Sequence, residues 1–262
     1  MDLGLKGKVV VITGGATGIG KAAALEFARE GCQVCVCGRR KEKIEEAQKE
    51  FQAQGFSLYG KSLDITDEEA FRKFAEEIEE TFGHIDIWLN NAGMNYYKMI
   101  EDMTTEEFRE YLESDLVTVF TGSQIALRHM KKTGGGVIMN ASSFTSLAPI
   151  AGKAAYSLCK AAVNNLTLSM AGEFAPYGIR VLAYIPGMIK TDISADDLEK
   201  QRDLFLRDIP ARRFGTPEDL AKSIVFHASD CAAYINGVTF EITGAKRCVQ
   251  NCEYPWQVAG KL

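Results

Sequence analysis

The stretch TGGATGIG, residues 13–20, decides the fold of this chain. It follows a short apolar run, Val9–Thr13, and precedes a helical pattern over Ile19–Glu30. Glycines let the backbone turn tightly here and approach a pyrophosphate, and the helix N-terminus then offers free N–H groups to the phosphates. The spacing differs from the general G-x-G-x-x-G fingerprint, but its place between a strand and a helix predicts a dinucleotide-binding turn. The alternative is a tight turn without a ligand.

Strand-like and helical patterns alternate along the rest of the chain. The further apolar runs are Val34–Cys37, Ser57–Leu63, Ile85–Leu89, Gly136–Ala141, Ile179–Ile185 and Val238–Ile242. The helical patterns cover Lys41–Gln54, Asp67–Phe82, Thr105–Lys132, Lys153–Ala175 and Pro217–Ser229. We predict an α/β protein with a single-domain Rossmann fold, a doubly wound parallel sheet of about seven strands with helices on both faces. The domain is expected to span residues 1–244, with a substrate flap at about 188–213 and a C-terminal tail at 245–262.

Composition narrows the class of protein. The chain has 262 residues, of which 46% are hydrophobic, and a net charge of −5. This supports one full core and gives no reason to expect nucleic acid or a membrane as a partner. No apolar run has the length of a membrane span or a secretory signal, so a cytoplasmic protein is expected. The seven cysteines are expected to be free thiols in a reducing compartment, with Cys159 the one to watch for sensitivity to alkylation.

Two arginines, Arg39 and Arg40, follow the second apolar run, where a dinucleotide-binding fold selects its cofactor. An acidic residue there would bind the 2′-hydroxyl of the adenosine ribose, whereas arginine accommodates the 2′-phosphate of NADP. This chain has Gly38 in place of the acid, and guanidinium groups form paired, charge-assisted hydrogen bonds with phosphate. The sequence therefore predicts NADP(H) as the cofactor. The alternative is that both arginines are solvated residues at the start of a helix.

Tyr156 and Lys160 lie four residues apart in a helical pattern, which places them on one helix face. A free tyrosine has a pKa of about 10, and a neighbouring ammonium lowers this pKa by stabilising the phenolate. The pair is therefore suited to proton transfer near neutral pH. Ser143 lies thirteen residues before Tyr156, at a strand end where its hydroxyl is suited to holding a carbonyl oxygen. A helix surface pair is the alternative, because Y-x-x-x-K alone is common.

Together these motifs resemble the short-chain dehydrogenase/reductase family over nearly the whole chain, from Leu5 to about Gly244. The matching motifs are T-G-x-x-x-G-I-G at 13–20, N-N-A-G at 90–93, Ser143, Y-x-x-x-K at 156–160 and P-G-x-x-x-T at 186–191. The resemblance implies an oxidoreductase that transfers a hydride between a nicotinamide and a carbonyl carbon. It also implies a homo-oligomer, a tetramer or a dimer, built on the long helices Thr105–Lys132 and Lys153–Ala175.

The resemblance further implies a role for each matching residue. Tyr156 would protonate or deprotonate the substrate oxygen, Lys160 would bind the nicotinamide ribose, and Ser143 would hold the substrate oxygen. Asp64 would contact the adenine, and Asn91 would also fix the central strands. The residues expected at the cofactor are Gly14, Thr17, Gly18, Ile19, Gly20, Arg39, Arg40, Asp64, Ile65, Asn91, Ala92, Gly93, Tyr156, Lys160, Pro186, Gly187, Ile189 and Thr191.

One position departs from the family pattern. Members usually have Asn in an N-L-x-x-V-F-like run, and this chain has Asp115 there, at the start of DLVTVF. The family's Asn is thought to hold a water in a proton relay through the lysine. A carboxylate at this position is able to pair with Lys160 and to weaken the effect of the lysine on Tyr156. We therefore count Asp115 among the catalytic residues and expect retained activity with a shifted pH profile.

The C-terminal end departs from the pattern as well. The last apolar run leads to EITGA, residues 241–245, where the family often has Asp-Gly-Gly. The tail that follows contains Tyr254, Pro255 and Trp256. Because exposed aromatic residues at a terminus usually dock, we expect the tail to pack on a neighbouring subunit or over its substrate site. A frayed tail is the alternative.

Three segments are expected to wall the substrate site, namely residues 94–99, residues 144–150 and the flap. Their methionine, aromatic and aliphatic side chains adapt to flat or irregular apolar ligands. This favours a bulky apolar secondary alcohol or ketone such as a hydroxysteroid. The alternative for flap residues such as Ile193 and Leu198 is packing on the domain's own core. The residues expected at the substrate are Ser143, Phe144, Tyr156, Met94, Tyr96 and Met188.

Other functions stay open on the sequence. A 3-oxoacyl-thioester reductase fits the motifs equally well, and four arginines between residues 202 and 213 leave room for an acidic substrate. A polyol or sugar-acid dehydrogenase is a further alternative. A catalytically silent nucleotide sensor of the same fold is disfavoured, because such a protein would be expected to lose a member of the Ser143, Tyr156 and Lys160 set. No metal is expected, because the three histidines are isolated in the sequence.

Overall fold

The computed structural model of the protein describes residues 2–191 and 194–261. In this part of the chain, seven parallel strands form one sheet in the order β3-β2-β1-β4-β5-β6-β7. The strands are β1 (Val9–Thr13), β2 (Gln33–Gly38), β3 (Leu58–Ser62), β4 (Ile87–Asn90), β5 (Gly136–Ala141), β6 (Ile179–Pro186) and β7 (Thr239–Ile242). The strand order reverses between β1 and β4, so a ligand crevice is expected at the carboxyl ends of these two strands. The predicted Rossmann fold is confirmed.

Helices cover both faces of the sheet. They are α1 (Gly18–Arg29), α2 (Lys41–Ala53), α3 (Glu68–Phe82), α4 (Thr105–Leu112), α5 (Thr118–Thr133), α6 (Ala154–Phe174), α7 (Ala195–Lys200), α8 (Arg202–Leu206), α9 (Pro217–Ala228) and α10 (Tyr254–Val258). On one face, Val10 of β1 packs in a core with α1, α2 and α9. On the other face, Val11 packs in a core with α3, α5 and α6. Both sides of the strands are therefore buried, as their continuous apolar runs predict.

The helix predicted over Thr105–Lys132 is interrupted in the structure. Helix α4 ends at Leu112, and a wider π-helical turn over Glu113–Val117 leads into α5. Such turns shift the register of a helix and are frequent at functional sites. Here the turn carries the fully buried Asp115. Periodicity did not reveal the interruption, because one extra residue in a turn leaves the apolar pattern on either side intact.

The predicted flap contains two short helices, α7 and α8. Leu198, Leu206, Ile209 and Phe214 form a small apolar cluster of their own, against which Met188 and Phe205 pack. These flap side chains thus pack mainly on one another, apart from the two cores that flank the sheet. Leu204, by contrast, is exposed. The predicted flap residue Ile193 lies outside the described residues.

The C-terminal tail docks on the flap of its own chain. The indole nitrogen of Trp256 donates to the carbonyl of Pro210 at 3.1 Å. The guanidinium of Arg212 donates to the Glu253 carboxylate at 3.2 Å. The tail is thus folded against residues 210–212, and packing against a neighbouring subunit stays a prediction.

All seven cysteines are free, and five of them are buried. The thiol of Cys159 lies in a cluster with Tyr111 and Ala155 and is fully buried. Burial raises the pKa of Cys159 to about 11. Because alkylation requires an accessible thiolate, the predicted sensitivity of Cys159 is not supported. In the described residues, no helix is both long and apolar enough to cross a membrane.

Candidate active site

A cleft with a volume of about 690 Å³ opens at the carboxyl ends of β1 and β4, where the strand order reverses. Most of the residues predicted to bind the cofactor line this cleft. They are Gly14, Thr17, Gly18, Ile19, Gly20, Arg39, Arg40, Asp64, Ile65, Asn91, Ala92, Gly93 and Thr191. The other predicted cofactor residues, Tyr156, Lys160, Pro186, Gly187 and Ile189, lie outside the lining of the cleft. The structure therefore assembles, from five separate segments, a site that the sequence presents as scattered motifs.

The N-terminus of α1 forms the phosphate end of this cleft. Thr17 precedes the helix in an extended conformation, and its side chain makes no capping hydrogen bond. The first N–H groups of the helix are therefore available to an anion. Gly18 has a φ of 53°, in the left-handed region that favours glycine. These features fit the pyrophosphate of a dinucleotide.

The adenosine end of the cleft carries the exposed residues Arg39 and Arg40. A Cβ atom added to Gly38 would meet only the Ile44 side chain, at 4.0 Å. The position thus has room for a larger residue, and Gly38 itself presents no carboxylate to the cleft. Lys43 also lines the cleft, one helical turn after Arg40, and sequence reasoning missed it. Its spacing of three residues from Arg40 places both side chains on the same face of the helix, which is the sequence signal that indicates this position.

Buried amides tie the central strands together beneath the cleft. The Asn91 side chain donates to the carbonyl of Thr13 at 3.0 Å and accepts from the Tyr184 hydroxyl at 2.8 Å. The neighbouring Asn90 donates to the Asn140 side chain at 2.8 Å. These bonds link β1, β4, β5 and β6 and hold the floor of the site. The link through Asn140 was missed by sequence reasoning, although a polar residue within an apolar strand was a visible signal.

Three predicted catalytic residues meet beside the cleft. Ser143 follows β5 and is buried, and Tyr156 and Lys160 lie one turn apart on α6. The Lys160 ammonium is 5.5 Å from the centre of the Tyr156 ring. The Ser143 hydroxyl accepts hydrogen bonds from the backbone and side chain of Thr145, at 3.2 and 3.1 Å. The Thr145 hydroxyl thus holds the Ser143 oxygen in place and was not anticipated from the sequence.

Asp115 pairs with Lys160, as the sequence predicts. Its Oδ1 atom lies 3.1 Å from the lysine ammonium, and both side chains are at least 95% buried. Its Oδ2 atom accepts from the Ser114 hydroxyl at 2.6 Å and from the backbone N–H of Met94 at 2.8 Å. A Cβ atom added to Gly93 would lie 2.6 Å from Asp115 Oδ1. Gly93 is therefore needed for the Asp115–Lys160 pair to lie against the cleft.

The titration of Tyr156 reflects this setting. Burial raises the pKa of the Tyr156 phenol, the positive charge of Lys160 and the Ser143 hydroxyl oppose the rise, and Asp115 adds to it. For Lys160, burial acts to lower the pKa, but the Asp115 carboxylate and Tyr156 outweigh burial and raise it. The predicted lowering of the tyrosine pKa by Lys160 is present as a contribution. It does not dominate, because burial and the Asp115 charge act against it.

Of the predicted substrate walls, the loop at 94–99 packs beside Tyr156. Met94 packs in the same apolar cluster as Tyr156, and the ring of Tyr96 lies 4.8 Å from that of Tyr111. The loop at 94–99 joins the loop before α6, since the Lys98 N–H donates to the carbonyl of Gly152 at 2.8 Å. Phe144 is buried beside Ser143. Met188, expected at the substrate, instead packs with the flap cluster.

Comparison with known proteins places the chain in a family. The family model described as short chain dehydrogenase matches residues 8–202. The protein therefore belongs to the short-chain dehydrogenase/reductase family, whose members are oxidoreductases that use a nicotinamide cofactor. The predicted resemblance is confirmed.

Individual relatives cover almost the whole chain. It is 34% identical to the 7alpha-hydroxysteroid dehydrogenase of Clostridium sardiniense, over 92% of this chain and 93% of that protein. It is 35% identical to the 3-oxoacyl-acyl-carrier-protein reductase of Thermotoga maritima, over 92% and 98%. A solved 7alpha-hydroxysteroid dehydrogenase, complexed with NADH and 7-oxo glycochenodeoxycholic acid, superposes with a TM-score of 0.88 at 31% identity, over 94% and 96% of the two chains.

Proposed function

We propose that the protein interconverts a secondary alcohol and a ketone by hydride transfer with NADP(H). The observation that carries this proposal is the convergence of Ser143, Tyr156 and Lys160 beside a cleft suited to a dinucleotide. A silent nucleotide sensor would have no need for this set. The proposed substrate is bulky and apolar, and a hydroxysteroid is the first candidate.

The proton chemistry follows from the side chains. The nicotinamide cofactor supplies or accepts the hydride when it is bound. Tyr156 Oη gives a proton to the carbonyl oxygen of a ketone during reduction and takes it from the alcohol during oxidation. The Ser143 hydroxyl holds the same oxygen and stabilises its developing charge. Lys160 would hold the nicotinamide ribose when the cofactor is bound. Its charge favours the phenolate of Tyr156, and Asp115 moderates this effect.

The preference for NADP(H) rests on charge at the adenosine end. Arg39 and Arg40 both line the cleft. Lys43 lines it as well, with its ammonium 2.6 Å from the Glu46 carboxylate. No acidic residue follows β2 in place of Gly38. The two guanidinium groups at this end favour a ribose that carries a 2′-phosphate. A related solved structure holds NADH instead. The cofactor preference of this chain is therefore to be measured directly.

The substrate class is supported by the walls and by the relatives. Met94 packs in the apolar cluster of Tyr156, and the Tyr96 ring lies against Tyr111 of the same cluster. Phe144 directly follows Ser143 and adds a further aromatic side chain. Two relatives act on hydroxysteroids, to judge by their names. A 3-oxoacyl thioester is the second candidate, favoured by the relatives named as reductases of such thioesters.

A substrate panel tests the proposal. Keto steroids, a 3-oxoacyl thioester and a keto sugar acid are each offered with NADPH and with NADH, and cofactor oxidation is followed at 340 nm. We expect turnover of a keto steroid, with a higher kcat/KM for NADPH than for NADH. Faster turnover of the 3-oxoacyl thioester than of any keto steroid would make thioesters, and not steroids, the substrate class. Tight cofactor binding without turnover of any carbonyl compound would favour the nucleotide sensor.

A further inference from the structure

Lys246, in the C-terminal tail, is a buried cation close to the proposed substrate site. Its side chain is only 8% exposed, and its ammonium lies over the face of the Phe144 ring, 5.4 Å from the ring centre. Phe144 directly follows Ser143 in the chain. The tail therefore places a positive charge against the residue that follows the predicted catalytic serine in the chain.

Few groups within the protein compensate the positive charge of the Lys246 ammonium. In the described residues, no oxygen lies within hydrogen-bond distance of it, and the carboxylate within 4 Å is that of Asp208, at 3.8 Å. Asp208 is 76% exposed, so water screens its charge. Burial accordingly lowers the pKa of Lys246. A buried cation in this state gains from an anion that brings hydrogen-bond acceptors.

The surroundings of Lys246 form a cavity of about 450 Å³ with an excess of positive charge. Arg207 and Arg247 line it together with Lys246, against the two carboxylates of Asp208 and Glu253. The Glu253 carboxylate also accepts a hydrogen bond from Arg212, at 3.2 Å, so part of its charge is already neutralised. The cavity thus has three cations for two acids. The Glu253 carboxylate is shared by Arg207, at 3.8 Å, and Arg212. This leaves Lys246 and Arg247 facing the exposed Asp208.

We propose that this cavity, with Lys246 as its central group, binds a carboxylate at the end of the substrate remote from the reacting oxygen. The inference rests on the proposed function, because it places an apolar body between this anion site and Tyr156. The Lys246 ammonium lies over the ring of Phe144, the residue after Ser143, so the substrate that fits is an apolar alcohol or ketone with a distant acidic group. The tail then acts as a selector for anionic substrates as well as a brace for the flap.

Binding of a matched pair of steroids to the enzyme tests the inference. The probes are deoxycholate, below its micelle-forming range, and its uncharged methyl ester. Both are added to the full-length enzyme saturated with NADPH, in which an alcohol ligand is not turned over. We expect the carboxylate to bind about tenfold or more tightly than the ester, as a charge-assisted hydrogen bond to a buried ammonium predicts.

Three variants identify the source of the preference. Lys246→Met keeps the apolar stem and removes the charge, and it should bind the acid and the ester equally. Lys246→Arg should retain a preference for the acid. Lys222→Met, at an exposed position on α9, serves as the control and should behave as the wild-type protein. Melting curves of all three variants show whether each is folded.

The outcomes separate this inference from the proposed function. An equal affinity of the wild-type protein for acid and ester, including no binding of either, overturns the anion site. So does a preference that survives in folded Lys246→Met, since Lys246 would then only pack against Phe144. Reduction of keto steroids without a carboxylate preference leaves the proposed function in place without the anion site. A Lys246-dependent preference for the carboxylate without reduction of any ketone supports the anion site and overturns the proposed function.

Discussion

Asp115 distinguishes the proton chemistry of this site from the pattern of its family. The residue is fully buried, contacts Lys160 at 3.1 Å, and raises the pKa of Tyr156 through its charge. The contact was predictable from the sequence, because a single departure within a motif places a carboxylate next to a lysine of known position. The contacts of Lys246 were not predictable, because the tail has no motif that relates it to Phe144.

Replacing Asp115 by Asn should move the pH profile. In the proposed mechanism, oxidation requires the Tyr156 phenolate, so the oxidation rate should rise as the pH passes the tyrosine pKa. The Asp115 charge raises that pKa, and its removal lowers it. In Asp115→Asn, the rising limb of kcat/KM for alcohol oxidation should therefore shift to lower pH, with activity retained. A pH series with saturating cofactor measures this shift.

Glu113→Gln is the matched control, because it removes an exposed carboxylate from the same π-helical turn. Its profile should coincide with that of the wild-type protein. If the Asp115→Asn profile is unmoved or shifts to higher pH, Asp115 does not set the titration of Tyr156.

Gly38→Asp should shift the cofactor preference toward NAD(H). The added side chain has room, since its Cβ atom meets only Ile44 at 4.0 Å. A carboxylate there would accept from the ribose 2′-hydroxyl and repel a 2′-phosphate. The ratio of kcat/KM for NADPH over NADH should fall by about tenfold or more. Gln52→Asp, which adds the same charge at an exposed position on α2, should leave the ratio unchanged, and an unchanged ratio in Gly38→Asp would refute the assignment.

At the scale of elements, the strands and most helices followed from the sequence, because apolar runs and helical periodicity are local signals. Glu68–Phe82, for example, lies within one residue of its predicted start. The π-helical turn at Glu113–Val117 and the flap helices α7 and α8 were not anticipated. These elements are short, and the π-helical turn contacts residues distant in the sequence, Met94 and Lys160.

The tail–flap contact should affect substrate binding and leave cofactor binding unchanged. Ending the chain after Gly244 removes the bonds from Trp256 to Pro210 and from Glu253 to Arg212. No tail residue of the described chain lines the cofactor cleft. We expect a several-fold higher KM for the ketone and an unchanged Kd for NADPH. Ending the chain after Val258 retains both bonds and should behave as the full chain, and an unchanged KM in the shorter protein would contradict this role.

At the level of the whole molecule, exposed apolar side chains lie on two helices that are predicted from the sequence to form the homo-oligomer. Val117 and Phe120 lie at and near the start of α5, and Leu158 and Leu168 lie on α6; all four are exposed. Exposed apolar residues gathered on neighbouring helices are typical of protein interfaces. The sequence located the helices, but the exposure of these side chains required the fold.

Charges on these helices should weaken the predicted homo-oligomer. In the double variant Phe120→Glu and Leu168→Glu, burying two carboxylates at an interface would be unfavourable. Light scattering coupled to size exclusion should show a smaller species than for the wild-type protein. Ile100→Glu, at an exposed apolar position outside these helices, should leave the mass unchanged. A double variant with the wild-type mass would place the contact elsewhere.

In the proposed reaction, Tyr156 transfers the proton during carbonyl reduction with a nicotinamide cofactor. The most direct measurement compares kcat/KM for NADPH-dependent ketone reduction in the wild-type protein and in Tyr156→Phe, together with the Kd for NADPH. We predict a loss of about 10²–10⁴-fold in kcat/KM, with a Kd for NADPH within a few-fold of the wild-type value. A Tyr156→Phe protein that reduces the ketone at close to the wild-type rate would contradict the account.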